Sequence, residues 1–328
     1  MTNTDKNALP LENDIPEADA SVDMNVGGQA VIEGVMMRSP KFIATAVRLP
    51  DGTIELNKKP FESFITRHKF LNIPVIRGGI NFVEMLFIGL ETLNWSADIQ
   101  MKYEDKKEGV EDSKAKRFRD AVIMGATFVF AFSIAMLLFF MLPIYLATLL
   151  GLAKGALLFN LVAGAIRLVI FLAYIMLISK MEDVKRIFRY HGAEHMSIFA
   201  HEASEELNVE SARTKSRFHP RCGTSFLLIV VLFSILFLGS ADALFPLVFG
   251  HMQSLPERFA THLALLPLVA GISYELLKLS GRFRSNKLVK MLIVPGLWLQ
   301  KLTTGHPDDD MLEVALCALN AALDAEEI

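Results

Sequence analysis

Four long apolar runs constrain this chain more than any other feature. They cover roughly residues 120–143, 156–179, 224–248 and 260–280 of its 328. About 20 residues of α-helix cross a bilayer core, and each run is long enough. Lipid offers backbone groups no partner, so runs of this length are stable there as helices that bond internally. The chain is 52% hydrophobic, and the apolar residues come in these blocks instead of being spread as in a soluble core. The expectation is a mainly α, polytopic membrane protein with four transmembrane helices and a smaller cytosolic α+β part. Its first partner is the lipid bilayer.

Basic residues set the direction of the spans. Lys114, Lys116, Arg117 and Arg119 precede the first, and Lys180, Lys185, Arg186, Arg189, Arg213, Lys215, Arg217 and Arg221 separate the second from the third. Arg282, Arg284, Lys287 and Lys290 follow the fourth, whereas the 144–155 and 249–259 connections offer Lys154 and Arg258 alone. The positive-inside rule then places both termini and the 180–223 loop in the cytosol. A net charge of −3 carries no nucleic-acid footprint, so no such partner is expected. Residues 1–24 are polar and acidic, unlike a signal peptide, and read as a disordered tail. Cys222 and Cys317 are too few for a disulfide framework, and on the cytosolic side they read as thiols or a metal ligand.

Residues 25–72 read as a cytosolic β region. Ile43 to Leu49 alternates, Pro50-Asp51-Gly52 turns, and Thr53 to Leu56 returns as a hairpin. Residues 73–118 read as an amphipathic helix, at the interface or packed on the cytosolic domain, followed over 101–118 by a charged linker or solvated helix. The 74–95 stretch carries Arg77, Asn81, Glu84 and Glu91, too many polar groups for a comfortable span. Residues 119–280 form the four-span membrane domain. Within 281–328, the stretch 288–299 is broken by Pro295-Gly296 and reads as interfacial or re-entrant. A C-terminal amphipathic helix follows, with Asp310 and Glu313 as a capping pair and Leu312, Leu316, Leu319 and Leu323 on one face.

The candidate chemistry lies just past the second span, where residues 190–195 read Tyr-His-Gly-Ala-Glu-His. On a helix His191 and His195 are one turn apart and project together. Two imidazoles on one face make half of a zinc site, and a neighbouring Glu194 is placed to act as general base. The plainer alternative is two histidines that happen to be four apart. A second ligand-type pair, His219-Pro-Arg-Cys222, lies in the same loop immediately before the third span, so the pairs can meet around zinc or another divalent transition metal. If His219 and Cys222 both join the histidines, the shell is closed and structural. If Glu275 supplies the third ligand, a position stays open for chemistry. The other partner for Glu275 is Lys278, three residues on. Glu202 falls too far along the helix for the same ion and reads as solvated.

The segment Gly27-Gly28-Gln-Ala-Val-Ile-Glu33-Gly34-Val-Met-Met-Arg38 also stands out. Its glycines permit close backbone approach, and Glu33 and Arg38 are candidates for contacting substrate or metal. A Gly-punctuated strand and turn packed on the membrane domain is the structural alternative. Asn160 and Arg167, inside the second span, either line a polar path or hydrogen-bond within the bundle.

That glycine segment, Tyr-His-Gly-Ala-Glu-His, Arg-Phe-His-Pro-Arg-Cys-Gly-Thr-Ser and Pro-Gly-Leu-Trp-Leu-Gln-Lys-Leu-Thr-Thr together resemble the YqhQ-like bacterial membrane proteins, from about residue 25 to 323. The resemblance implies a multi-pass protein of the bacterial inner membrane, described as a predicted metal-dependent enzyme. The expected function is a metal-dependent hydrolase at the cytosolic face: His191 and His195 bind, Glu194 acts as base, and His219, Cys222 or Glu275 completes the shell. The alternative is a non-enzymatic scaffold or adaptor whose metal, if it has one, is structural. A transporter is disfavoured, because the spans carry few ionisable groups beyond Arg167, Asp242, Glu275 and Lys278, and no inverted repeat.

Overall fold

The computed structural model describes residues 26–109, 113–152, 157–282 and 287–323. The expected acidic tail therefore lies outside the described residues. The chain forms two compact units. One takes the chain up to Gln100, Ile178–Ile229 and everything from Ala270; the other takes Met101–Leu177 and Val230–Val269.

The first unit is built on a four-stranded antiparallel meander, β1 (Gly27–Val31), β2 (Gly34–Arg38), β3 (Phe42–Arg48) and β4 (Ile54–Pro60). The expected hairpin is β3–β4, and the glycine segment forms a second one, β1–β2. Both faces of the sheet are covered, which is why β2 reads as an unbroken apolar run. Val35, Met37, Ala44 and Ala46 point to one face, where α6 (Glu182–Glu202) and α11 (Asp309–Leu323) pack. Val31, Met36 and Val47 point to the other, against Met85, Ile88, Leu93 and Trp95 of α2 (Ile76–Glu108). This period-2 split leaves the sheet as the middle layer of three. A short helix, α1 (Phe64–Arg67), joins β4 to α2.

Helix α2 runs to Glu108, so the first part of 101–118 takes the helical one of its two expected forms. In α11, Leu312, Leu316 and Leu319 are buried as their spacing requires. The capping residues differ from expectation: the Asp308 carbonyl receives the Met311 and Leu312 N–H groups, so Asp310 already lies inside the first turn. Glu313 pairs instead with Arg48, at 2.5 Å.

The other elements are α3 (Lys114–Met136), a π turn (Leu137–Met141), α4 (Leu142–Leu149), α5 (Leu157–Ile178), α7 (Val209–Arg213), α8 (Gly223–Phe249), α9 (Leu255–Arg282) and α10 (Lys287–Thr303). Among the described residues, four stretches are long and apolar enough to cross a membrane: Phe118–Leu149, Leu157–Ile178, Gly223–Phe249 and Leu255–Leu276. These match the four runs read from the sequence. The interruption expected at Pro295 does not occur, because α10 continues through it.

In the second unit the π turn releases the Phe139 carbonyl from the helical ladder, and the Arg167 Nε donates to it at 2.7 Å. Asp242 is buried and pairs with Arg258 (2.5 Å) and His262 (2.9 Å). Arg258 also donates to Asn160 Oδ1 at 2.7 Å, and Asn160 Nδ2 donates to the Gly239 carbonyl at 3.1 Å. Asn160, Arg167 and Asp242 thus find their bonds inside the bundle, as apolar surroundings demand.

Candidate metal centre

Helix α6 carries Glu182 and Asp183 in its first turn, where acidic side chains favour the positive helix start. From Tyr190 to Glu202 almost every residue is buried, so the His191–His195 face points inward. Close packing at Gly192 fixes the helix: a Cβ there would lie 2.0 Å from the Gly305 carbonyl oxygen. The turn after α10 thereby comes within reach of His191.

Both imidazoles are oriented by backbone. His191 Nδ1 lies 2.8 Å from the Thr303 carbonyl, and His195 Nδ1 lies 2.5 Å from the Arg217 carbonyl. A carbonyl accepts only, so each Nδ1 carries a proton, and each Nε2 presents a lone pair whenever its imidazole is neutral. His191 Nε2 stands 3.2 Å from Cys222 Sγ. His195 Nε2 is buried without a hydrogen-bond partner. Ligand atoms of His191, His195 and Cys222 all lie within 4.8 Å of one another. A buried lone pair aimed at a second imidazole and a thiol has no role in a packed core, and these donors suit a zinc-type ion. Metal-bound histidines characteristically give their other N–H to a carbonyl or carboxylate, the pattern seen twice here.

Cys222 caps α8. Its carbonyl accepts from the Ser225 N–H, and its Sγ accepts from the Thr224 N–H at 3.3 Å. Burial pushes the thiol up, but His195 and His191 outweigh it and hold Cys222 well below its ordinary value. Burial likewise opposes the charged form of His191, yet Cys222 holds that imidazole up at about 9.

Glu194 is 6% exposed, and its Oε2 lies 3.8 Å from His191 Nε2. Burial pushes its carboxyl above the usual carboxylate range, with His195 and His191 offsetting part of the effect. The Gly28 N–H donates to it. A Cβ on Gly28 would meet Glu194 Cγ at 2.7 Å, so the glycine segment leaves room for this carboxylate.

The structure does not gather the remaining expected ligands. His219 lies beside His195, ring centres 5.6 Å apart, but its Nε2 is 3.1 Å from Glu202 Oε1 and its Nδ1 accepts from the Arg221 N–H. Glu202 is buried, not solvated, because His219 and Arg221 both reach it. Glu275 pairs with Arg77, at 2.7 Å and 2.5 Å, and Val75 N–H donates to it at 3.4 Å. Arg77, not Lys278, is the ion-pair partner. Glu33, at the β1–β2 turn with a φ of 55°, pairs with Arg186 and receives Tyr190 Oη at 3.4 Å. Arg38 lies over the Phe61 ring at 5.1 Å. Glu33 therefore braces the helix that carries the histidines, and neither residue joins the ligand group.

Three contributors were not singled out in the sequence. Gln300, fully buried, accepts from the His219 N–H and donates to the His219 carbonyl, both at 2.8 Å. Thr303 and Arg217 supply the two orienting carbonyls, and Arg217 is itself held by Thr304 at 2.5 Å and 2.9 Å. All lie in the longer motifs, but backbone and amide roles leave no residue-type signature.

The chain matches a family of proteins of unknown function, DUF1385, over residues 73–325. It is 32% identical to the uncharacterized protein YqhQ of Bacillus subtilis (strain 168) over 313 residues, covering 92% of this chain and 93% of that one. No solved structure matches it. With the ligand group and the four apolar helices inside or overlapping the matched region, the chain belongs to the DUF1385 family.

Proposed function

We propose that this protein is a metal-dependent hydrolase of the bacterial inner membrane, with its centre at the cytosolic face and a zinc-type ion held by His191, His195 and Cys222. The observation that carries the reading is the pair of Nδ1–carbonyl bonds, which turn both Nε2 atoms toward one thiol. Three protein ligands leave a fourth position, the arrangement of catalytic rather than structural zinc. His219 is committed to Glu202 and Glu275 to Arg77, so neither competes for that position. A bound ion supplies Lewis acidity toward an ester, amide or phosphoryl oxygen. Glu194 supplies the proton transfer: it is the carboxylate nearest the ligand group on α6, and a raised carboxyl pKa suits a group that takes a proton and returns it near neutral pH.

One observation favours the scaffold reading. Glu194 is buried like His195 and Cys222 and more so than His191, and as a fourth ligand it would close the shell. Cobalt substitution of the detergent-solubilised protein separates the two. Thiolate-to-cobalt absorption is expected in wild type, and it should vanish in Cys222→Ala and in His191→Ala/His195→Ala. Glu194→Gln should keep stoichiometric metal and an unchanged spectrum if Glu194 is the base. A changed spectrum with weakened binding would make it a ligand and favour the scaffold. Absence of metal uptake by wild type would end the hydrolase reading and leave a scaffold without a metal.

A further inference from the structure

Helix α2 is not among the four stretches apolar enough to span a membrane. Its first half nevertheless leaves a long apolar stripe uncovered. Ile76, Val83, Leu86, Phe87 and Leu90 are each at least 40% exposed, and Phe87 is 70% exposed. They recur at helical spacing along one side for about four turns, or ~21 Å. On the same side the next positions, Asn94 and Asp98, are exposed and polar. The stripe therefore has an end, as it would where a helix leaves an apolar medium. The opposite side of α2 packs on the sheet through Met85, Ile88, Leu93 and Trp95. Soluble proteins rarely leave so large an apolar patch without an occupant.

The contacts of α2 with α9 fix the depth of the stripe. A Cβ on Gly271 would lie 2.2 Å from the Val75 carbonyl oxygen, and one on Gly78 would lie 2.7 Å from the Gly271 carbonyl oxygen. The two backbones touch there. Gly271 is five residues inside the end of the apolar window at Leu276, about 7.5 Å along the helix axis. Helices that lie in a membrane surface bury their apolar face by about 5–10 Å. Arg77 pairs with Glu275 one residue inside that window, which offsets the charge of that carboxylate at this level.

We propose that the Ile76–Leu90 face of α2 lies in the bilayer interface, so that the first half of this non-spanning helix is seated in lipid while the sheet rides on its other side. The occupant of the face is the acyl and headgroup boundary of the leaflet in which α9 ends. The spanning helices make no such demand on α2; the apolar stripe and the contact depth at Gly271 do.

Tryptophan placement tests this in the full chain reconstituted into phosphatidylcholine vesicles. Phe87→Trp and Asp98→Trp each add one fluorophore, and wild type provides the background of Trp95 and Trp298. The added emission of Phe87→Trp should be blue-shifted. Lipids brominated near the headgroup end of the acyl chain should quench it more than lipids brominated near the bilayer centre. The added emission of Asp98→Trp should be red-shifted, open to acrylamide and indifferent to bromine. Leu90→Trp repeats the measurement should Phe87→Trp reconstitute poorly. Acrylamide quenching at residue 87 without bromine quenching would place the face in water and overturn the proposal. Blue-shifted emission insensitive to every brominated lipid would mean that protein, a second copy included, covers the face, and would overturn it equally.

Discussion

Glu202 sits in the last turn of α6 with 3% of its side chain exposed, and two groups from the following loop reach it. His219 Nε2 donates at 3.1 Å, and Arg221 supplies a guanidinium. Burial pushes this carboxyl up, but those two bonds outweigh it and hold Glu202 at about 2. His219, pushed down by burial, stays neutral and donates while its Nδ1 accepts from Arg221. A carboxylate depressed on folding adds stability that is complete above its ordinary pKa of about 4.3 and is lost as pH falls through its folded value. The window here runs from about pH 4.5 down to about 2. Breaking a buried pair typically costs ~3–5 kcal/mol, and the partial exposure of Arg221 reduces the expectation for Glu202→Gln to about 2 kcal/mol near neutral pH. Melting temperatures in detergent across the acid range check this. Wild type should lose stability through that window, and the variant should start lower and fall less steeply. Parallel curves would show that Glu202 is not held by these partners.

At the scale of elements, what the sequence disclosed and what it concealed divide along a physical line. The four spans were legible because hydropathy over some twenty residues is a local property. The His191–His195 face was legible because helical spacing is local as well. His219 and Glu275 were expected as ligands because spacing and an expensive location gave them reach and motive. The competitors that claim them are not readable in one dimension: Glu202 stands 17 residues from His219, and Arg77 stands 198 from Glu275. Helix α10 was the hardest element, since Pro295-Gly296 reads as a break. The helix continues through both residues, and Gly296 lets Ser225 come close, where a Cβ would lie 2.4 Å from the hydroxyl oxygen. That approach brings Gln300 onto both backbone groups of His219. The clamp holds the turn in which the Cys222 N–H donates to the His219 carbonyl at 3.2 Å, and so sets where the thiol stands. Gln300→Ala removes no ligand, yet it orphans the buried His219 N–H and takes one of two donors from the His219 carbonyl. Loss of such outer support typically costs about 10–100-fold in metal affinity. Competition with a chromophoric chelator should show that weakening, with metal still bound at saturation. Unchanged affinity would mean that the loop holds its shape without α10.

For the molecule as a whole, function depends on which side of the membrane the centre faces, and the argument for that side is one of charge and parity. His191 and His195 follow the helix ending at Ile178, and Cys222 immediately precedes the helix starting at Gly223, so the ligands share the connection between the second and third spans. That connection carries the largest group of lysines and arginines, whereas the connections around Gly151 and Met252 carry almost none. Moving the basic connection across the membrane opposes the positive-inside bias. An even number of spans then returns the C-terminal helix α11 to the side of the sheet it packs on, as the shared core of α11 with β2 and β3 requires. Reversed insertion would satisfy the packing equally, so charge alone chooses between the two orientations, and thiol labelling reads the choice directly. In a Cys317→Ser background, Met252→Cys should react with a membrane-impermeant maleimide on intact spheroplasts, and Glu104→Cys should react only after the membrane is opened. The opposite pattern would put His191, His195 and Cys222 outside the cell, away from any cytosolic substrate and in an oxidising compartment where Cys222 would no longer be kept as a thiol. A hydrolase facing the cytosol would then have to be abandoned even if the metal is bound as proposed.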